Sequence, residues 1–156
     1  MITKDELFKH TENKDGNKVR IDKNIRCSEN KSEYLYVNKS EHHVAKIKVD
    51  GALISATDTK KCDYLLINWN GGVAFFVELK GSDFNQAIRQ INATLDLIWS
   101  DIKEMGIRVP NARIVLSKSP VPGIQNSPQR KQFDARLKKC GGGKLRHETG
   151  KMLETF

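Results

Sequence analysis

The chain is predicted to fold as an α/β domain with a central mixed β-sheet flanked by helices, on three observations. Residues 63–68 and 73–80 are two nearly continuous apolar runs joined by the turn-forming segment Asn68-Trp69-Asn70-Gly71-Gly72. Such runs suit central strands buried on both faces. Residues 83–105 place Phe84, Ala87, Ile88, Ile91, Leu95, Ile98, Ile102 and Met105 at three- and four-residue steps, the stripe of an amphipathic helix of about six turns. A further apolar run at 112–117 follows, so strands, long helix, strand and helix succeed one another as in a sheet packed by helices.

Each element has its own signal. Thr3 and Glu6 are spaced as a capping box for a short helix over residues 3–10. Residues 1–33 are otherwise polar and weakly periodic, with a loop-like stretch at 11–20. Residues 34–37 (Tyr-Leu-Tyr-Val) are β-prone. Residues 44–49 alternate apolar and basic side chains, which predicts a strand with one wet face. Asp50-Gly51 reads as a tight turn, after which 52–55 are expected to resume the strand. Ser82 or Asp83 can cap the long helix, and Gly106 is placed to end it. Residues 129–139 predict a basic helix with Phe133 and Leu137 inward, stopped by Gly141-Gly142-Gly143. The tail, 144–156, is expected to add one short strand. Tyr34, Tyr36, Trp69 and Trp99 are assigned to packing rather than to base stacking.

Length predicts a single domain over 1–156: an N-terminal extension (1–40), a core (44–117) and a basic C-terminal helix and strand segment (118–156). No run approaches the roughly 18 apolar residues of a membrane span, so no membrane partner is expected. The first residues lack the apolar stretch of a signal peptide. Three widely spaced cysteines without a C-x-x-C pair fit a reducing, cytoplasmic setting and argue against structural zinc, which His42-His43 alone does not restore. The net charge of +8 is unevenly spread: residues 1–107 hold sixteen basic and sixteen acidic side chains, whereas 108–156 hold eleven against three. A localised basic region is the footprint of a polyanion binder.

The chemistry concentrates in Cys62-Asp63 and Val77-Glu78-Leu79-Lys80-Gly81. Side chains alternate along a strand, so Glu78 and Lys80 are expected on one face. If the two runs pair as a hairpin, Asp63 lies on the neighbouring strand near the same end. Two carboxylates and an ammonium at one spot can hold a divalent cation and ready a water for attack on a phosphodiester. Gln86, Gln90 and Thr94 fall at four-residue steps on the following helix, a polar stripe beside the apolar one.

Asp63 followed by Glu78-x-Lys80 and a long helix resembles the signature of the PD-(D/E)XK nuclease superfamily. Cys62 stands where that family often has proline. The resemblance covers residues 44–117 and implies a restriction-endonuclease-like core. It further implies a Mg²⁺ (or Mn²⁺) site held by Asp63, Glu78 and the backbone carbonyl of Leu79, with Lys80 orienting the attacking water. Gln90, ahead of Gln86, is the expected supporting glutamine. The family's additional acid is assigned to Glu41 in preference to Glu33; Asp50 is more simply a turn residue. The implied function is metal-dependent hydrolysis of phosphodiester bonds, in DNA ahead of RNA. Arg130, Lys131, Arg136, Lys138, Lys139, Lys144 and Arg146 are expected to grip backbone phosphates. Many relatives are symmetric dimers, so a homodimer is an expected assembly. The alternative is a catalytically silent module of the same fold that binds nucleic acid or a protein partner.

Overall fold

The computed structural model describes the whole chain apart from Lys80 and the side chain of Gln125. The chain opens with α1 (Lys4–Lys9), where the expected capping box forms: Thr3 Oγ1 accepts the Glu6 N–H and the Glu6 carboxylate accepts the Thr3 N–H. The short strands β1 (Lys14–Asp15) and β2 (Lys18–Val19) make a small hairpin. A second hairpin follows, β3 (Asn24–Glu29) and β4 (Ser32–Val37), turned by Asn30 at φ 53°. Then come β5 (Val44–Lys48), β6 (Tyr64–Asn68), β7 (Val73–Leu79), α2 (Phe84–Glu104) and β8 (Val109–Leu116). A 3-10 turn at Ile124–Asn126, α3 (Pro128–Lys139), β9 (Leu145–Thr149) and β10 (Lys151–Thr155) complete the chain.

The central sheet has the order β5-β6-β7-β8-β9. The first three strands form an antiparallel meander, and β8 and β9 add in parallel through the α2 and α3 crossovers. A parallel neighbour needs such a crossover. Alternation along the strands sorts the core into two faces. Leu65, Ile67, Ala74, Phe76 and Ile114 meet the apolar sides of α1, α2 and α3. Leu66, Phe75, Val77, Leu79 and Val115 meet Ile25, Cys27, Tyr34, Tyr36 and Met152 from a three-stranded sheet, β10-β4-β3. The fold is therefore α/β, with a mixed central sheet between a helical layer and a second sheet.

This departs from four expectations. The helices gather on one face; the other is covered by strands. Residues 1–40 are part of the core rather than an extension, since β3 and β4 pack on the central sheet and β10 pairs with β4. Residues 52–55 turn back on β5, with the Leu53 N–H on the Lys48 carbonyl, instead of extending it, and the tail yields two strands instead of one. All three cysteines are free. Among the described residues no helix is long and apolar enough to cross a membrane.

Candidate active site

Asp63 and Glu78 are positioned by the β6–β7 hairpin. The Asn68 side chain closes its turn by accepting the Gly71 N–H at 2.8 Å, while the Asn68 carbonyl accepts the Gly72 N–H. From that turn the register runs Asn68↔Val73 to Tyr64↔Val77. The Asp63 N–H then donates to the carbonyl of the same Val77 at 3.1 Å. Two successive residues thus answer to one, the arrangement of a β-bulge, which re-aims a side chain at a strand end. The Leu79 N–H donates to Asp63 Oδ2 at 2.8 Å, so the carboxylate takes a backbone donor that a regular ladder would have used.

Glu78 follows Ala74 and Phe76 onto the helical face. It is 2% exposed and borders a cleft of about 340 Å³ shared with Asn30, Gly81, Asp83, Gln86 and Gln90. Gly81, at φ 74°, swings the chain out of β7, and Asp83 then caps α2 by accepting the Gln86 N–H at 2.9 Å. A positive φ of this kind is natural only to glycine. The polar stripe of α2 faces the same cleft. Gln90 Nε2 reaches the Lys61 carbonyl at 3.4 Å. Buried Thr94 accepts the Cys62 N–H at 2.8 Å and donates to the Gln90 carbonyl at 2.9 Å. That bond accounts for a non-proline residue at position 62, because proline has no N–H to give.

The electrostatics are unusual. Burial raises the Asp63 pKa to about 6; the Leu79 N–H opposes the rise, and the Glu29 carboxylate adds to it. The neighbouring Glu78 carboxylate acts on Asp63 in the lowering sense. Three acids thus meet at this end of the hairpin, two from the central sheet and Glu29 from the tip of β3–β4. Glu29 was not foreseen. Its signal was present as the alternation Ile25-x-Cys27, a short strand whose end is Glu29, but the polar setting of residues 1–33 hid it. Burial also pushes the Cys62 thiol far up, with the Glu78 charge adding to the effect. That thiol is no nucleophile at neutral pH.

Other expected residues lie elsewhere. Glu41 sits at the opposite end of the hairpin, just before Val44, which pairs with Asn68; its N–H bonds the Asn38 carbonyl and its carboxylate borders a different cleft. It is not brought to Asp63. Glu33 pairs with Arg26 and Lys151 on the second sheet, and Asp50 sits at a turn, 3.7 Å from Lys61. Lys80 falls outside the described residues. Among the described residues no three His, Cys, Asp or Glu side chains form a ready-made metal cage.

The basic segment is divided. Arg130 bonds Asp134 and the Leu145 carbonyl, Arg136 bonds Asn92 and Asp96, and Arg146 bonds Glu154. Those three guanidinium groups hold α3 and β9 in place. Lys131, Lys138, Lys139 and Lys144 are exposed. Lys138, Lys139 and Lys144 lie toward the start of β8, where Gly143 packs so closely on Pro110 that an added Cβ would sit 1.6 Å from its carbonyl oxygen. Val109 there pairs with Val73, at the end of β7 away from Glu78. Comparison of the chain with protein-family models, with curated proteins and with solved structures found no match.

Proposed function

We propose that the protein is a metal-dependent nuclease of the PD-(D/E)XK type, hydrolysing phosphodiester bonds in DNA. The observation that carries this reading is the burial of Asp63 beside Glu78 at the bulged end of β6–β7, with the Asp63 pKa raised to about 6. Burying acids together is costly unless a proton or a cation joins them. The order of an antiparallel meander, a crossover helix and a parallel strand also supports a restriction-endonuclease-like core.

The donor set fits a hard cation. Mg²⁺ favours oxygen ligands, needs only one or two carboxylates and keeps several waters, so the lack of a three-ligand protein cage is no obstacle. Asp63, Glu78 and the Leu79 carbonyl would hold the ion; bound there, it supplies a water of lowered pKa and offsets charge on the phosphoryl group. The Leu79 N–H holds the Asp63 carboxylate through a hydrogen bond to Oδ2. Lys80 is assigned to orient the attacking water, and Gln90, on the cleft wall, to hydrogen-bond the water or a phosphate oxygen. Water oxygen attacks phosphorus as the bond to the leaving oxygen breaks, and the water's proton passes to a basic group or solvent.

The test is cleavage of plasmid, linear duplex, single-stranded DNA and RNA with Mg²⁺ or Mn²⁺ against EDTA. The native chain is expected to cut in a metal-dependent way, and Asp63→Asn, Glu78→Gln and Lys80→Ala to lose at least 100-fold, as roughly expected of groups that stabilise the transition state. Salt-sensitive binding that survives all three substitutions, with no cleavage of any substrate, would instead identify a silent nucleic-acid-binding module.

A further inference from the structure

A second cleft, of about 550 Å³, lies at the other end of the central sheet. Lys4 and Phe8 of α1, Lys18 of β2, His43, Trp69 of the β6–β7 turn and Met105 border it. Trp69 packs against the core, as expected, yet is only partly buried, and the Lys4 ammonium lies 4.9 Å from its ring centre. The Lys14 ammonium lies 5.0 Å from the Phe8 ring. No carboxylate is among the lining residues. The walls are pinned: the Trp69 N–H bonds the His43 carbonyl at 3.0 Å and the His43 N–H bonds Asn70 Oδ1 at 2.6 Å. His43 Nδ1 lies 2.8 Å from the Val19 carbonyl. A carbonyl only accepts, so Nδ1 carries the hydrogen and Nε2 remains for a ligand.

Aromatic walls, two lysines and an imidazole nitrogen select among ligands. A purely apolar guest would strip water from the ammonium groups without replacing it. A bare inorganic anion would leave the aromatic faces unused. We propose that this cleft binds a nucleotide unit, its base against Trp69 and Phe8, its phosphate held by Lys4 and Lys18, and a base N–H donated to His43 Nε2. Stacking on aromatic side chains beside a positive groove is how single-stranded nucleic acids are held without sequence preference. From residue 63 to residue 69 the strand spans roughly 20 Å at about 3.3 Å per residue. The cleft is therefore separate from the carboxylate site and does not depend on its chemistry.

The unit can belong to a nucleic-acid strand or to a free nucleotide, and the experiment separates them. In Trp99→Phe, Trp69 is the remaining tryptophan, and its fluorescence is titrated in EDTA with AMP and, separately, with a short single-stranded oligo-dT. Saturable quenching is expected. Quenching by the oligonucleotide alone assigns a strand exosite, and quenching by both assigns a site that a single nucleotide fills. The binding arm is repeated by anisotropy of labelled oligonucleotide on the native chain, so that a poorly folded Trp99→Phe cannot decide the matter. Trp69→Ala should weaken binding about 5- to 150-fold, the range expected for a lost stacked base. Lys4→Ala/Lys18→Ala, at exposed positions, should weaken binding and make it fall less steeply as salt rises, with a slope smaller by about 0.7 for the one phosphate the two lysines hold on a single strand. No binding of either ligand, or binding unchanged in both Trp69→Ala and the double lysine variant, would overturn the assignment, and neither result depends on whether the protein cleaves DNA.

Discussion

Two buried acid sites in this protein share the same functional group and differ in everything around it. Glu154, on β10, is 6% exposed. It receives Arg113 Nε at 2.5 Å, the Tyr34 hydroxyl at 2.8 Å and a bond from Arg146. Burial raises its pKa, but Arg113, Tyr34 and Arg146 outweigh burial and bring it below the ordinary value. Asp63 is equally buried, yet among the described residues it meets one backbone N–H and two further acids, and its pKa is raised to about 6. The first carboxylate is satisfied by the protein and ties four strands together, β4, β8, β9 and β10. The second is held in place but left poised to take a proton or a cation. A buried group with a strongly raised pKa, beside an acid such as Glu78 that lines a cleft, is the physical mark of a functional position, whereas a neutralised network is the mark of a structural one.

The contrast is sharpest in stability. Glu154→Gln leaves the buried Arg113 guanidinium with only neutral acceptors, among them the Ala112 and Lys144 carbonyls, and should destabilise by about 3 kcal/mol, the lower end of the cost of breaking a buried pair from one side; denaturant unfolding measures it. Asp63→Asn should do the opposite. It keeps an oxygen for the Leu79 N–H but removes the buried charge, so the variant should gain on the order of 2 kcal/mol at pH 8 while losing cleavage. A loss of stability at pH 8 would break the comparison.

The sign reverses with pH. A folded-state pKa above the unfolded value means that the stability Asp63 contributes is present in its protonated form and is lost as pH rises through about 6. Glu154, with its pKa lowered, contributes stability above its unfolded value that is lost as pH falls through the folded one. The advantage of Asp63→Asn over the native chain should therefore shrink on acidification below pH 6, and Mn²⁺ affinity of the native chain should weaken over the same interval, as calorimetry would read. Thr94→Val should have a smaller effect, about 1–2 kcal/mol for a buried Cys62 N–H left without its acceptor. Its cleavage should fall more than its stability if the Thr94 bond sets the position of Asp63. Smallest of all, Lys138→Ala/Lys139→Ala should change stability by less than about 0.5 kcal/mol, as exposed substitutions do; any loss of DNA binding would show in its salt dependence.

Much of the central sheet was legible because its signals are local. The runs expected at 63–68 and 73–80 form strands over Tyr64–Asn68 and Val73–Leu79, and the α2 stripe, the Thr3–Glu6 capping box and inward Phe133 and Leu137 all appear. The same period placed Gln86 and Gln90 beside the Glu78 cleft. The misses are non-local. Residues 24–29 look like a polar extension until they pair with β4 and the hairpin packs on the central sheet. Glu41 is nearer in sequence to β5 than Glu29 is, yet it lies at the wrong end of the hairpin.

The order of residues alone determined which segments become strands and helices, and which face of each is apolar, because those depend on neighbours two to four positions apart. Only the tertiary structure decided which acids meet, which arginines are consumed in holding α3 and β9, and where Trp69 and its lysines open a second cleft. Those outcomes depend on pairing between strands far apart in the chain and on a one-residue bulge at Asp63, and neither leaves a periodic trace in the sequence.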